Sequence, residues 1–180
     1  MPDLPILTGP NISLRAPQDG DAETMVALGR DPEITKWSGL KPGTLPPLDR
    51  AWATGWLAEV SASVSWVIAR CGTFIGAIRL MDVWPAEGHA RVAMGLQSSR
   101  DTGKGYGREA LGLVLGYAFD TLGLHRVGLR VMVTNAAAIR CYEACGFVVE
   151  GREREACWTP DGRVDDLVMG LLAPDWRAAR

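Results

Sequence analysis

The sequence predicts one mixed α/β (α+β) domain over residues 1–180, with a central twisted, mostly antiparallel sheet of six to seven strands and about four helices. Three observations lead there. Hydrophobic spacing switches along the chain between the two-residue period of strands and the 3.6-residue period of helices. Turn sequences at Cys71-Gly72 and Thr159-Pro160-Asp161-Gly162 join neighbouring strands into hairpins. A strand-helix-strand unit lies in the centre, which makes the sheet mixed. The 180 residues are 47% hydrophobic, enough for a real core and too apolar for a disordered chain.

Residues 11–16 alternate like a strand, and Asp19 or Asp21 is placed to cap a helix running to about Arg30. The Pro/Gly punctuation at 39–47 reads as a loop inside the domain. Leu48, Trp52, Trp56 and Val60 then recur at helical spacing. Residues 65–70 and 73–82 read as strands around Cys71-Gly72, and 89–97 as another. Ala110, Leu111, Val114, Leu115 and Ala118 make an apolar stripe, predicting a helix over 104–121 that Gly123 stops. In 124–133, Val127, Leu129, Val131 and Val133 share one face, opposite Arg126, Gly128, Arg130 and Met132. A shorter helix covers 136–145 and ends at Gly146. Residues 147–157 and 163–172 close the fold as a hairpin.

A net charge of −2 gives no overall basic field for nucleic acid or membrane, and no apolar run is long enough to span a bilayer. The opening Met-Pro-Asp-Leu-Pro lacks the regions of a signal peptide, so a cytoplasmic location is expected. Cys71, Cys141, Cys145 and Cys157 lack zinc spacing, and only two histidines are available. They are expected to be reduced, packing residues, with no metal.

Gly103-Lys104-Gly105-Tyr106-Gly107 opens the amphipathic helix. Unpaired N–H groups and the helix dipole make such a start a phosphate site, and glycines permit close approach. Lys104 and Arg108 add charge. A P-loop would need Ser or Thr after Lys104, where Gly105 stands. Gly105-Tyr-Gly107-Arg-Glu-Ala110 fits the dinucleotide pattern, but the acidic residue expected about twenty positions later is replaced by Arg126 and Arg130. Thirty residues on, Asn135 precedes a short helix carrying Tyr142. Asn135 reads as an N-cap, and Tyr142 as a core aromatic or a proton donor. The strand-helix-strand order brings the glycine loop and this helix to the same end of the sheet.

The two segments together resemble the GCN5-related N-acetyltransferases (GNAT), especially the branch that acetylates ribosomal protein N-termini (RimJ/RimL-like). The likeness runs through Leu14-Arg15-Ala16, Asp31-Pro-Glu-Ile-Thr-Lys-Trp37, Gly105 to Ala110, Tyr117-Ala-Phe119, Leu122-Gly-Leu-His-Arg126, Asn135 to Phe147 and Glu150-Gly151. It implies two central strands that splay to admit the pantetheine arm of acetyl-CoA. By position, the backbone of Gly95, Leu96 and Gln97 would pair with that arm. The amides from Thr102 through Gly103, Lys104, Gly105 and Tyr106 to Gly107 would cradle the pyrophosphate, helped by Arg108. Asn135 would bind pantetheine or order the site, and Tyr142 would protonate the departing thiolate.

The chain departs from the family pattern at three places. Thr102 stands where Gln or Arg begins the pyrophosphate motif. Val92 stands where many relatives carry a glutamate base, leaving Asp82, Glu87 and His89 as neighbours in sequence. Gln97 is polar where an apolar residue is commoner, pointing into the acceptor site or into solvent. The acceptor is expected to be a primary amine, on a small molecule or a protein N-terminus. The regions that form its cleft in relatives hold Trp37, Trp52, Trp56, Trp84 and Trp158; Trp52 and Trp56 also have the spacing of core residues. Asp165-Asp166 reads as an exposed hairpin strand. A homodimer is compatible with this reading. The alternatives are a non-catalytic acyl-CoA-binding module and, less well matched, a nicotinamide-dinucleotide binder.

Overall fold

In the computed structural model, which describes residues 4–180, eight strands form one sheet in the order β1-β2-β3-β4-β5-β6-β8-β7. The first three residues of the stretch read for a signal peptide lie outside the described residues. The strands are β1 (Leu7–Thr8), β2 (Ser13–Arg15), β3 (Val64–Arg70), β4 (Thr73–Trp84), β5 (His89–Leu96), β6 (Arg126–Met132), β7 (Val148–Thr159) and β8 (Gly162–Leu172). Every neighbouring pair is antiparallel except β5 and β6. The helices are α1 (Asp21–Leu28), α2 (Pro32–Thr35), α3 (Arg50–Ser61), α4 (Tyr106–Gly116), α5 (Ala136–Glu143) and α6 (Ala173–Ala178). The eighth strand beyond the expected number is β1, too short to show a period.

Local chemistry sets the element ends. Cys71 and Gly72 both have positive φ, 48° and 81°, as a two-residue type I′ hairpin requires. The N-cap of α1 is Gly20, and neither Asp19 nor Asp21 caps it. Asp21 opens the helix, and its carboxylate is forked onto Arg15 by two hydrogen bonds of 2.8 Å inside the protein. Asp49 caps α3 through the amide of Trp52 at 2.8 Å. After α4 the chain widens into a π turn, Tyr117–Thr121, and reverses at Gly123 with φ 66°.

Two apolar cores lie on opposite faces of the sheet. On one, the α4 stripe packs on Trp66, Ile78, Val92, Val127, Leu129 and Met169. Full burial of side chains such as Leu111 and Leu115 stabilises by about 1.5–3 kcal/mol each. On the other, α1 and α3 pack through Met25, Ala53 and Leu57 on Val67, Ala69 and Phe74. Trp52 and Trp56 stack at 6.4 Å beside this second core, as helical spacing predicts. No helix among the described residues is long and apolar enough to cross a membrane.

Candidate active site

The parallel ladder between β5 and β6 joins only His89–Arg91 to Arg126–Gly128. Beyond it the strands part. From Val92 onward β5 pairs only with β4, and β6 continues along β8. The result is a wedge with unpaired backbone on its β5 side. The Gln97 amide donates to Ile75 O at 2.8 Å, and alternation along an antiparallel strand then turns the Leu96 and Met94 amides toward the wedge. Of the three residues expected to pair with pantetheine, Leu96 is therefore presented and Gln97 is not. The Gln97 side chain is also engaged, donating to Gly29 O at 2.7 Å.

Gly95 lies against Gly76 of β4. A Cβ on Gly76 would lie 2.3 Å from Gly95 O and 2.9 Å from Leu96 Cα. The carbonyl is tucked against Gly76, and only glycine fits there. A lone glycine within a strand pattern is the sequence signal for such an approach.

After β5, a 3₁₀ turn (Ser99–Asp101) leads into the glycine loop. Thr102 is committed within that turn: its amide and its hydroxyl both donate to Ser99 O, at 3.1 and 2.7 Å. It is not available to an anion as expected. Among the described residues none of the amides from Gly103 to Arg108 is bonded, and the first helical bond is Glu109 N to Gly105 O at 2.9 Å. Gly103 and Gly105 hold φ of 72° and 86°, which orients this row of N–H groups. Gly107 has neither reason to be glycine: its φ is ordinary, and a Cβ would touch only Met94, at 3.5 Å. That contact also puts the start of α4 directly beside β5. Lys104 is exposed, whereas the Tyr106 ring is buried and leaves only its amide to the loop. The Arg108 guanidinium donates to Ala144 O at 3.2 Å, at the end of α5, so it braces two helices as well as flanking the loop.

Asn135 caps α5, its side chain accepting from Ala138 N at 3.2 Å. Tyr142 is 9% exposed and packs edge-on against Phe147 with ring centres 6.1 Å apart. Burial, with the Cys141 and Cys145 sulfurs beside it, pushes the phenol up to about 12. It is therefore a protonated group at neutral pH, able to donate to an anion. All four cysteines are free; Cys141 is drawn down by hydrogen bonding with Cys145 and by Arg108, while Cys145 is driven up.

The face opposite α4 carries a cavity of about 470 Å³ lined by Trp56, Glu59, Arg79, Ala93, Gly95 and Gln97 among others. Small residues on β4 and β5 make its floor. The base candidates do not reach it. Val92 is buried under α4. His89 begins β5, seven residues or about 23 Å from Leu96 at the rise of a strand. Asp82 is paired with Arg91 at 3.0 Å near that closed end, and Glu87 is exposed there. Of the aromatic residues expected near the acceptor, Trp84 is exposed beside His89 and so also lies at the closed end.

A mixed sheet whose β5 and β6 part beside a glycine loop with free amides is the architecture expected of an acyl-CoA transferase. A family model described as an acetyltransferase (GNAT) domain matches residues 11–148. The chain belongs to this family and is an acetyl-CoA-dependent N-acetyltransferase. It is 28% identical over 178 residues to the uncharacterized N-acetyltransferase YoaA of Bacillus subtilis strain 168, covering 95% of this chain and 98% of that protein. It is 42% identical over 65 residues to the spermidine N(1)-acetyltransferase of Vibrio cholerae, 36% of this chain and 37% of that one. The solved spermidine N-acetyltransferase from Vibrio cholerae, in complex with CoA and spermine, superposes with a TM-score of 0.77 at 24% identity, over 94% of this chain and 99% of that one. A GNAT acetyltransferase from Bacillus anthracis gives 0.79 at 17% identity, over 94% and 99%. At these identities the structural likeness is one of fold.

Proposed function

We propose that this enzyme acetylates a primary amine by direct attack on the thioester of acetyl-CoA, and that the wedge, the glycine loop and Tyr142 are its working parts. The observation that carries this reading is Tyr142: a buried, protonated phenol on α5, a helix braced by Arg108 to the glycine loop. A site that only bound CoA would have no use for a proton donor there.

The pyrophosphate lies on the amides of Gly103 to Arg108, with Lys104 beside it. The pantetheine arm runs into the wedge and pairs with the free edge of β5 at Leu96. Asn135, as cap of α5, orders the helix that presents Tyr142. The neutral amine attacks the carbonyl, the Leu96 N–H faces the developing oxyanion, and the thiolate leaves as Tyr142 protonates it, help of a kind worth about 10²–10⁴-fold in rate. The chain uses no glutamate at position 92. An α-amino group, with an ordinary pKa of about 7.7–8, is already largely ready to attack at slightly alkaline pH.

The motifs from Leu14 to Gly151 support placement in the branch that acetylates ribosomal protein N-termini, while the local likeness to a spermidine acetyltransferase supports a small polyamine acceptor. A protein N-terminus and a small amine are thus the two acceptor classes to screen, in a cytoplasmic setting. Calorimetric titration with acetyl-CoA, with NADH alongside, tests the donor. Binding of acetyl-CoA alone, followed by amine-dependent thiol release that Tyr142→Phe abolishes without loss of acetyl-CoA affinity, is the expected result. Absence of acetyl-CoA binding would overturn the reading.

A further inference from the structure

Asp166 was expected on an exposed strand, yet it is 4% exposed, and its Oδ1 is buried with no partner among the described residues. Its other oxygen is well supplied. Oδ2 accepts from Cys157 Sγ at 3.1 Å and faces Arg130 Nη2 at 3.2 Å. Arg130 also pairs with Glu153 at 2.5 Å. Two carboxylates thus share one guanidinium. The Cys157 thiol, pushed up to about 11 first by burial and then by Asp166, remains a neutral donor and adds no charge. The cluster is left with one negative charge in excess and one carboxylate oxygen unused.

Its place in the fold gives that oxygen a purpose. Asp166 pairs with Met132 at the end of β6, where β6 has already left β5. Leu167, Met169 and Leu171 of β8 face the α4 core, so Asp166 projects from the other face, the one that carries the cavity beside Gly95. From Met132 the chain turns straight into Asn135, whose amide donates to Met132 O at 2.9 Å, and on to the Tyr142 helix. The loop between α2 and α3 closes over this spot. Gly39 O accepts from Trp158 N at 3.1 Å, and a Cβ on Gly39 would lie 3.3 Å from Cys157 Sγ and 3.6 Å from Met132 Cε.

We infer that Asp166 is the acceptor-recognition residue: its free Oδ1 takes an N–H of a cationic ammonium group on the acceptor when the Gly39 loop lifts. The inference rests on the acetyl-transfer reading and narrows it to acceptors that carry, beside the neutral amine that attacks, a second amine held as an alkylammonium ion. A carboxylate oxygen with no donor, in a cluster of net negative charge, selects a positively charged donor over a neutral one. Arg130 holds the carboxylate in place through Oδ2 and leaves Oδ1 to the incoming group.

The test uses the full chain saturated with CoA, titrated calorimetrically with spermidine and, separately, with a short peptide bearing a free N-terminus and a lysine. Asp166→Asn should weaken binding of at least one of these amines by about 10- to 100-fold, the worth of a hydrogen bond to a charged group. Acetyl-CoA affinity should be unchanged, and amine affinity is read at a temperature where circular dichroism shows the variant fully folded. Cys157→Ala removes a donor to Oδ2 and leaves Oδ1, so it should lower the melting temperature and spare amine affinity. Equal amine affinity in wild type and Asp166→Asn, no binding of either amine by wild type, or an equal loss in Cys157→Ala would each overturn the inference. Loss of acetyl-CoA binding in the wild type would instead bring down the transferase reading beneath it.

Discussion

The carboxylate of Asp31 holds the backbone amide of Ser99 at 2.7 Å, tying the start of α2 to the turn that launches the glycine loop. The other Asp31 oxygen accepts from Glu33 N at 2.9 Å, capping α2. A second tie runs parallel to it, from Gln97 Nε2 to Gly29 O. Through these two contacts the segment that leads into the acceptor-side loop is fastened to the segment that presents the cofactor amides. Hydrogen bonding by Ser99 is the main reason the Asp31 carboxyl lies below its ordinary range.

Asp31→Ala should therefore raise KM for acetyl-CoA several-fold while leaving kcat nearly unchanged, because it loosens the loop without touching the reacting atoms. Its folded pKa is depressed, so its stabilising effect is complete above the unfolded value of 3.8 and disappears as pH falls through the lower folded value. Urea unfolding of wild type and Asp31→Ala should differ at about pH 7, and the difference should shrink as the pH falls below 3.8. A constant difference across that range would mean that the contact does not act through the ionised carboxylate.

For Tyr142 the sign is reversed. Its phenol is raised from 10 to about 12, first by burial and then by Cys141 and Cys145. The stabilising effect of keeping it neutral is present below pH 10 and lost as pH rises through about 12, an effect on the order of 2 kcal/mol. Tyr142→Phe should flatten that alkaline loss, cut kcat by about 10²–10⁴-fold and keep acetyl-CoA affinity. In the wild type, kcat should show no falling limb from this phenol below about pH 11. A kcat unchanged in Tyr142→Phe would remove it from the reaction.

What the sequence shows plainly is what repeats. The α4 stripe, the alternation of β6 and the Asp161-Gly162 turn each declare themselves over a few residues; β6 and the turn are present within a residue or two, and the helix runs from Tyr106 to Gly116 before its last expected turn widens into the π turn. Short pieces such as Leu7–Thr8 and Pro32–Thr35 hold no full period, so they are visible only through their partners. The site divides the same way. The glycine loop is legible because φ above zero selects glycine. The commitment of Thr102 and Gln97 is not, since it depends on where Ser99 O, Ile75 O and Gly29 O fall in space. Asp166 looked exposed because its burial comes from Met132, Cys157 and the Gly39 loop, which are distant in sequence.

Gly76 sets how closely β4 and β5 approach at the mouth of the wedge. Gly76→Ala must move Gly95 O from 2.3 Å to a normal contact, and that neighbour is backbone rather than the end of a flexible side chain. Such overpacking costs about 1–3 kcal/mol in stability. The same shift displaces the Leu96 amide, so kcat should fall by about tenfold or more even at temperatures where the variant is fully folded. Circular dichroism fixes the folded range, and thiol release read within it separates the two effects. Normal kcat in the folded variant would show that this strand position does not set the reaction geometry.

Gly107→Ala gives the sharpest test of the pyrophosphate assignment, because the protein itself gives no reason for glycine there. The residue is helical, its added Cβ would meet only the Met94 thioether end at 3.5 Å, and alanine is the better helix former by about 1 kcal/mol. On protein contacts alone the substitution should be neutral or stabilising in thermal unfolding. Close approach of a ligand to the Gly107 backbone is the one remaining demand for a missing side chain. If the pyrophosphate sits on these amides, Gly107→Ala should therefore melt no lower than wild type and yet raise the dissociation constant for CoA by about tenfold, with a smaller change for pantetheine, which lacks the pyrophosphate. Equal loss for CoA and pantetheine would place the effect in the wedge, and no loss for either would move the phosphate site off this turn.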